Sequence, residues 1–245
     1  PNDVIPYLYE WLETTRPQLS PATYKDYSNS IRNHLEPFFL TTPVQLHEIG
    51  HDTLLRLLNS IARTGKGKLN VLYCLHRYLK LAWRYDRMQA VPPFPERRNY
   101  NITDPAIDWL PEERQNKVIE AIPKEQQPIF WFLKYHLRRP SEAMALHKED
   151  YHPEEDVFVI RRTFSSKELV EYTKTHKEHI VPCHADFKPM METMPKTFSP
   201  FFFVNPHGKL KGQNYQHGYL SGLWNEACNK VGESIRLYAG TKHSS

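Results

Sequence analysis

Cysteine is scarce in this chain: three residues in 245, Cys74, Cys183 and Cys228. They are too far apart for metal-ligand spacing and too few, and odd in number, for a disulfide framework. A reducing, intracellular compartment is therefore expected. Long apolar runs are missing too; nothing approaches the roughly 18 uninterrupted residues of a membrane span. The opening "PNDVIPYLYEWLETT" has no basic region followed by an apolar stretch, so no signal peptide is read. It also has no methionine, which points to a trimmed chain. Internal repeats and low-complexity segments are absent. The charge excess is small, +4, so a nucleic-acid partner has to be argued from where the cations lie. What is present is ordinary globular material, 40% hydrophobic and 24% charged, enough for one large or two ordinary domains.

Residues 1–91 carry helical patterns. Ser20-Pro21 reads as an N-cap with proline at the first helical position. Tyr24, Tyr27, Ile31 and Leu35 then recur at threes and fours, an amphipathic stripe. "HDTLLRLLNSIART" and "KLNVLYCLHRYLKLAWRYDRM" predict two further helices, separated by a Gly65/Gly67 loop. Residues 92–107 are proline-rich with little periodicity and read as a linker. In 108–245, "LPEERQNKVIEAIP", "QQPIFWFLKYHL", "HADFKPMMETM" and "YLSGLWNEACNKVG" look helical. "DVFVIRRTF" and "KEHIVPC" look like paired strands. "PKTFSPFFFVNPHGK" has no clear assignment. The expectation is a mainly α protein with a small β-sheet: a helical domain (1–91), a linker (92–107) and an α+β domain (108–245).

Between Arg63 and Arg87 there are seven basic residues and one acid, Asp86. Arg77, Lys80, Arg84 and Arg87 are spaced three, four and three, which predicts one helix face; Val71, Leu75, Tyr78, Leu79 and Ala82 fall opposite. Arg63, Lys66 and Lys68 add cations just ahead. An apolar side docked on its own domain and a cationic side turned outward suit a phosphate backbone. The plain alternative is a solvated basic face.

The stretch "IFWFLKYHLRRPSEAMALHKEDY" (129–151) poses a sharper question, because an apolar run ends on two arginines. A guanidinium there must be paired, reach water, or serve a ligand. Pro140 and Glu142 predict a helix start, with Arg139 just before it. The structural alternative is an Arg139–Glu142 ion pair at a helix terminus.

The order of segments resembles the tyrosine recombinase, or phage integrase, family. Its first motif, an arginine opening a helix with glutamate three residues later, then leucine and aspartate, is matched by Arg139, Glu142, Leu146 and Asp150. Its hairpin lysine is matched by Lys174 in "TKTHKEHIVP", with Lys177 a rival in the same loop. "SPATYKDYSNSIRNHLEPFF" looks like the opening helix of the family's SAM-like core-binding domain. The resemblance covers nearly the whole chain. It implies a DNA strand transferase in which a tyrosine attacks a phosphodiester to form a 3′-phosphotyrosyl link, with no metal or other cofactor. Arginine clamps the charge that gathers on the phosphorane oxygens, and lysine protonates the leaving 5′-oxygen. Arg139 and Lys174 would take those roles, with Glu142 orienting Arg139.

The second motif, His-x-x-Arg and then usually His, departs from the pattern. The aligned stretch is Ala239-Gly240-Thr241-Lys242-His243. Ala239 replaces the first histidine, Lys242 replaces the arginine and His243 fits the last. Lysine is a point charge and cannot reproduce a bidentate fork. The family's nucleophile lies beyond this motif and Tyr238 precedes it, so the chain is expected to bind duplex DNA without cleaving it, as a truncated piece of an integrase of a phage or mobile element. The expectation extends to two domains clamping the duplex as a C-shape, a tetramer on DNA for the intact family, a monomer for this chain, no membrane association, and a bacterial cytoplasm or nucleoid. Three rivals stay open. One is a non-catalytic DNA-binding protein on the same scaffold. Another is a metallo-nuclease using His176, His179 and His184, and the third is a structural helical module.

Overall fold

The structure, a computed structural model, describes residues 4–103 and 106–244. It divides into two compact units, Pro1–Pro105 and Ala106–Ser245, each around its own apolar core.

The first unit is all-helical. α1 (Val4–Thr15) buries Val4, Leu8, Trp11 and Leu12, the inward stripe of an amphipathic helix. α2 (Pro21–Ser30) starts as expected: Ser20 Oγ accepts from the Thr23 amide at 3.2 Å, and Pro21 takes the first helical position. A π-turn over Ile31–Leu35 leads into α3 (Glu36–Thr41). Pro37 has no N–H and would crowd the carbonyl one turn earlier, and a widened turn relieves that conflict. α4 (His51–Ser60) buries Leu54, Leu57 and Leu58. α5 (Gly65–Arg84) is the long central helix and buries Val71, Leu72, Cys74, Leu75, Tyr78, Leu79 and Ala82.

Two expectations are corrected here. Gly65 and Gly67 form no loop; they lie in the first turn of α5, where Thr64 Oγ1 accepts from the Gly67 amide at 3.3 Å. Gly65 is required by close packing, because a Cβ there would stand 2.0 Å from the Tyr100 carbonyl oxygen. The stretch 92–107 is no free linker over its described part. Arg97–Tyr100 forms a 3-10 turn, Tyr100 is 3% exposed, and Phe94 and Ile102 pack on the first core. His51 Nδ1 also bonds the Pro93 carbonyl at 2.8 Å.

The second unit mixes helix and sheet. α6 (Glu112–Glu120), α7 (Gln127–His136) and α8 (Pro140–Ala145) come first. β1 (Tyr151–His152), β2 (Val157–Ile160), β3 (Thr163–Ser165), β4 (Glu168–Val170) and β5 (His179–Pro182) follow. β2 pairs antiparallel with both β1 and β5, with Phe158 opposite Val181. The expected pairing of "DVFVIRRTF" with "KEHIVPC" is thus present. A separate β3–β4 hairpin, which the pattern did not reveal, turns through Ser166 and Lys167, both at positive φ. α9 (Lys188–Thr193), α10 (His217–Val231) and α11 (Leu237–Lys242) complete the unit. The unassigned stretch joins the core through buried Phe203, while Phe201 bridges to His147 and Val204 to Asn214. Phe130, Phe132, Phe158, Phe187 and Trp224 fill the centre. The protein is mainly α with a small sheet, as the sequence implied. No described helix is long and apolar enough to cross a membrane.

Candidate nucleic-acid face and phosphate site

The first candidate lies on α5. Its twenty residues include Lys66, Lys68, Arg77, Lys80 and Arg84 and no carboxylate. Lys66, Arg77, Lys80 and Arg84 are exposed on the side away from the core. None forms an ion pair with a described residue, whereas Arg16, Arg56 and Arg98 of the same unit pair with Glu13, Asp52 and Glu96. Arg77 also reaches the Tyr27 hydroxyl. Lys66 and Lys68 belong to the first helical turn rather than to a preceding loop. Arg63 is exposed and its side chain crosses Gly67.

Arg87 leaves the stripe. α5 ends at Arg84, and Asp86 at φ 54 turns the chain. Arg87 then pairs with Glu10 at 3.2 Å and lies 4.3 Å over the Tyr7 ring. The helical wheel placed it on the cationic face only by assuming that the helix continued.

The second candidate lies in the C-terminal unit. Leu137 at φ 54 stops α7, and Arg139 caps α8. Glu142 is 3% exposed; it accepts from the Arg139 backbone amide at 3.0 Å and from its guanidinium at 2.7 Å. The Arg139 side chain keeps 34% of its surface open. The arginine is therefore both paired and presented to solvent. Hydrogen bonding to Glu142, attraction to that carboxylate, and then the Tyr238 hydroxyl hold it firmly protonated.

Tyr238 sits on α11, which brings the divergent second motif to Arg139. Lys242 Nζ lies 5.8 Å from the Tyr238 ring centre, and the His243 ring meets that ring edge-on at 5.0 Å. The motif is held from behind. A Cβ at Gly240 would stand 2.3 Å from Trp224, so the helix can pack there only with glycine. Gln115 donates to the Gly240 carbonyl at 2.8 Å, and Ser244 Oγ accepts from the Leu110 amide and donates to the Ala239 carbonyl. Lys242 and His243 thus face the Tyr238 ring, and the Tyr238 hydroxyl in turn acts on the Arg139 guanidinium. Sequence reasoning set Tyr238 aside because it precedes the second motif and so is not in the nucleophile's place; only its effect on Arg139, far away in the chain, reveals it.

Lys174 stands apart from these contacts. It is exposed at a turn whose base is Thr173, 1% exposed, with Oγ1 bonding the Lys177 carbonyl at 2.7 Å and amide at 3.3 Å. Tyr172 stacks on His176 across the turn. No hydrogen bond, ion pair or ring contact joins Lys174 to Arg139 or Tyr238 among the described residues. A third lysine was missed: Lys167, at the β3–β4 tip, lines an open groove of about 600 Å³ with Ser141, Met144, Phe164, Tyr215 and His217. Asp150, the last residue of the first motif, is 1% exposed, pairs with Arg161 at 2.8 Å and Arg162 at 2.6 Å, and accepts from the His147 amide at 2.8 Å, so it is held inside a local ion-pair cluster.

The histidines suggested for a metal have separate employments. His176 stacks on Tyr172, His179 Nε2 meets Thr175 Oγ1 at 3.2 Å, and His184 stacks on Tyr135. Among the described residues no group of three or more His, Cys, Asp or Glu is arranged to hold a metal ion.

Comparison with known proteins follows the same division. Residues 6–60 match the family model "Phage integrase, N-terminal SAM-like domain". No curated protein matches significantly. Among solved structures, the integrase of transposon Tn1549 in complex with transposon right-end DNA aligns with a TM-score of 0.80 at 12% identity, over 98% of this chain and 84% of that one. A lambda integrase (residues 75–356) dimer on a COC′ core site aligns at 0.69 and 10% identity, over 96% and 86%. A lambda integrase tetramer on a Holliday junction aligns at 0.67 and 11%, over 95% and 69%. Residues 6–60 thus match a phage-integrase SAM-like domain, and the chain as a whole shares the fold of integrases solved on DNA, the likeness that the motifs implied.

Proposed function

We propose that this protein binds duplex DNA as a site-specific recombinase, with the outward face of α5 on the phosphate backbone and Arg139 at the scissile phosphate. The observation that carries the reading is the row Lys66, Arg77, Lys80 and Arg84: exposed, carboxylate-free and without ion-pair partners among the described residues. Lone exposed cations spaced along a helix gain most from an extended polyanion, because each phosphate contact releases counterions. The relatives of the same fold were solved with DNA, which supports the same partner here.

Arg139 is suited to a phosphorane. Its guanidinium is fixed by a buried carboxylate on one side and open on the other, so little reorganisation is needed when charge develops. Tyr238, whose hydroxyl influences Arg139, would donate to the same phosphate, in place of the imidazole that Ala239 does not offer. Lys242 supplies positive charge without a fork. Lys174 is our choice for the general acid, with Lys167 the alternative; Lys177, whose backbone closes the turn, is less free. We further infer that paired DNA sites bring copies of the chain together, as a lambda integrase tetramer on a Holliday junction suggests.

Duplex binding measured against salt tests the partner. A steep slope that shrinks when the α5 cations are changed to glutamate supports the reading; weak, salt-insensitive binding sinks it. Strand cleavage, assayed in a longer chain that carries the family's nucleophilic tyrosine and cleaves an ordinary duplex, tests the chemistry. A duplex with a 5′-thio leaving group at the scissile position needs no general acid, so it should restore cleavage to the variant lacking the true acid, Lys174→Ala or Lys167→Ala. A 5′-thio substrate that restores neither removes both lysines from that role.

A further inference from the structure

The outward face of α5 is not uniformly charged. At spacings of four, three, four, three and four it reads Lys66, Asn70, Tyr73, Arg77, Lys80 and Arg84, all exposed. Tyr73 keeps 52% of its surface open. Neither the Asn70 amide nor the Tyr73 hydroxyl bonds a described residue, so both are available to a ligand. Packing does not require either of them: the buried stripe of the helix runs through Val71, Leu72, Cys74 and Leu75 on the other side.

A face that only tracks phosphates needs cations alone. Here a neutral amide and a phenol occupy one helical turn, with a cation one turn before and three in the turns after. Lys66 to Arg84 span about 27 Å of helix, more than the roughly 12 Å width of a major groove, so the central turn can sit at base edges while the ends meet backbone. The side-chain types divide the same way. Lysine and arginine fix register on phosphates and carry no sequence information there. Asparagine presents a donor and an acceptor side by side, which match the N6 and N7 edge of adenine, and an aromatic ring packs against the thymine methyl.

Resting on the reading of α5 as a DNA face, we propose that Asn70 and Tyr73 are its sequence-reading residues, selecting neighbouring A·T pairs by amide pairing to adenine and ring contact with thymine. The flanking cations position the helix and do not discriminate. The proposal concerns this unit alone.

The test uses a randomised duplex library, with selected and scrambled duplexes then titrated at one fixed salt concentration. Wild type is compared with Asn70→Ala, Tyr73→Ala and Lys80→Gln, all exposed positions, with circular dichroism as a folding check. Wild type should enrich A·T at neighbouring positions. Asn70→Ala or Tyr73→Ala should lose that preference by about tenfold or more, the scale of one good base contact, while scrambled DNA binds nearly as before. Lys80→Gln should weaken all duplexes alike, lower the salt slope by about 0.9 and keep the preference. Retained preference in both Asn70→Ala and Tyr73→Ala, or equal weakening on every duplex, overturns the assignment while DNA binding stands. Wild type that binds no duplex in a salt-dependent way overturns the assignment and the DNA reading together.

Discussion

Replacing Lys66, Arg77, Lys80 and Arg84 together by glutamine removes four positive charges from one face of α5. Each cation that meets a phosphate contributes about 0.9 to the slope of log affinity against log salt, so four contribute about 3.6. Between 50 and 200 mM salt, a factor of four, these contacts alone account for a loss of about 150-fold in wild-type affinity. The quadruple variant should lose that dependence and bind weakly at both concentrations. Its fold should hold, within about 0.5 kcal/mol, because the side chains are exposed and none pairs with a described carboxylate. Relief of repulsion among Arg77, Lys80 and Arg84 offsets part of any loss. Arg87→Gln is the control: Arg87 pairs with Glu10 and lies on Tyr7, so it should leave the salt slope unchanged. Fluorescence anisotropy of a labelled duplex over a salt series reads both quantities. A slope unchanged in the quadruple variant, or one lowered as much by Arg87→Gln as by Lys80→Gln, would refute the assignment of this face to phosphate.

Gly240→Ala should destabilise the C-terminal unit by about 1–3 kcal/mol, an overpacking cost, because the new methyl meets Trp224; chemical denaturation followed by tryptophan fluorescence measures it. Arg139→Ala leaves Glu142 buried without its guanidinium partner, so it should cost more stability than the double variant Arg139→Ala/Glu142→Ala, in which no buried charge remains; equal losses would mean that the pair is not coupled. Asp150→Ala should cost less than the about 3–5 kcal/mol of a fully broken buried ion pair, because Arg162 keeps Glu149 and Glu171 as partners; chemical denaturation measures it, and a loss of the full size would contradict that sharing. His136 is buried between the Phe132 carbonyl and the His184 amide, and burial pushes its pKa down to about 4. The unfolded chain therefore binds a proton below about pH 6.5 that the fold refuses, and stability should fall between pH 6.5 and 4, by up to about 3 kcal/mol. The His136→Gln variant should show a shallower fall over that window in pH-dependent melting, and an identical slope would contradict the buried, neutral imidazole.

Some of this was legible in the residues, and the reason is range. The Ser20 cap and the Glu142 bond to the Arg139 amide each span three positions, so they are written in adjacent letters. The division of α5 into an apolar and a cationic side follows from helical period alone. Pairing of β2 with β5 could be anticipated from two β-rich runs about a loop. Chain continuity beyond the helix was not legible: Arg87 obeys the period yet leaves the face, because a turn at Asp86 intervenes. The proline-rich stretch 92–103 looked like a tether, and only the first core could claim Phe94 and Tyr100.

The sequence by itself determined most of the helices, their buried stripes, the cationic side of α5 and the arginine that opens α8, since these depend on neighbours within one or two turns. Tertiary structure alone decided which of those groups share a site. Tyr238 meets Arg139 only because α11 docks through Gly240 against Trp224 and through Gln115. Lys167 reaches its groove only because a second hairpin forms. Contacts between residues far apart in the chain carry no local signature; they follow from how complete surfaces pack, and no periodicity records that.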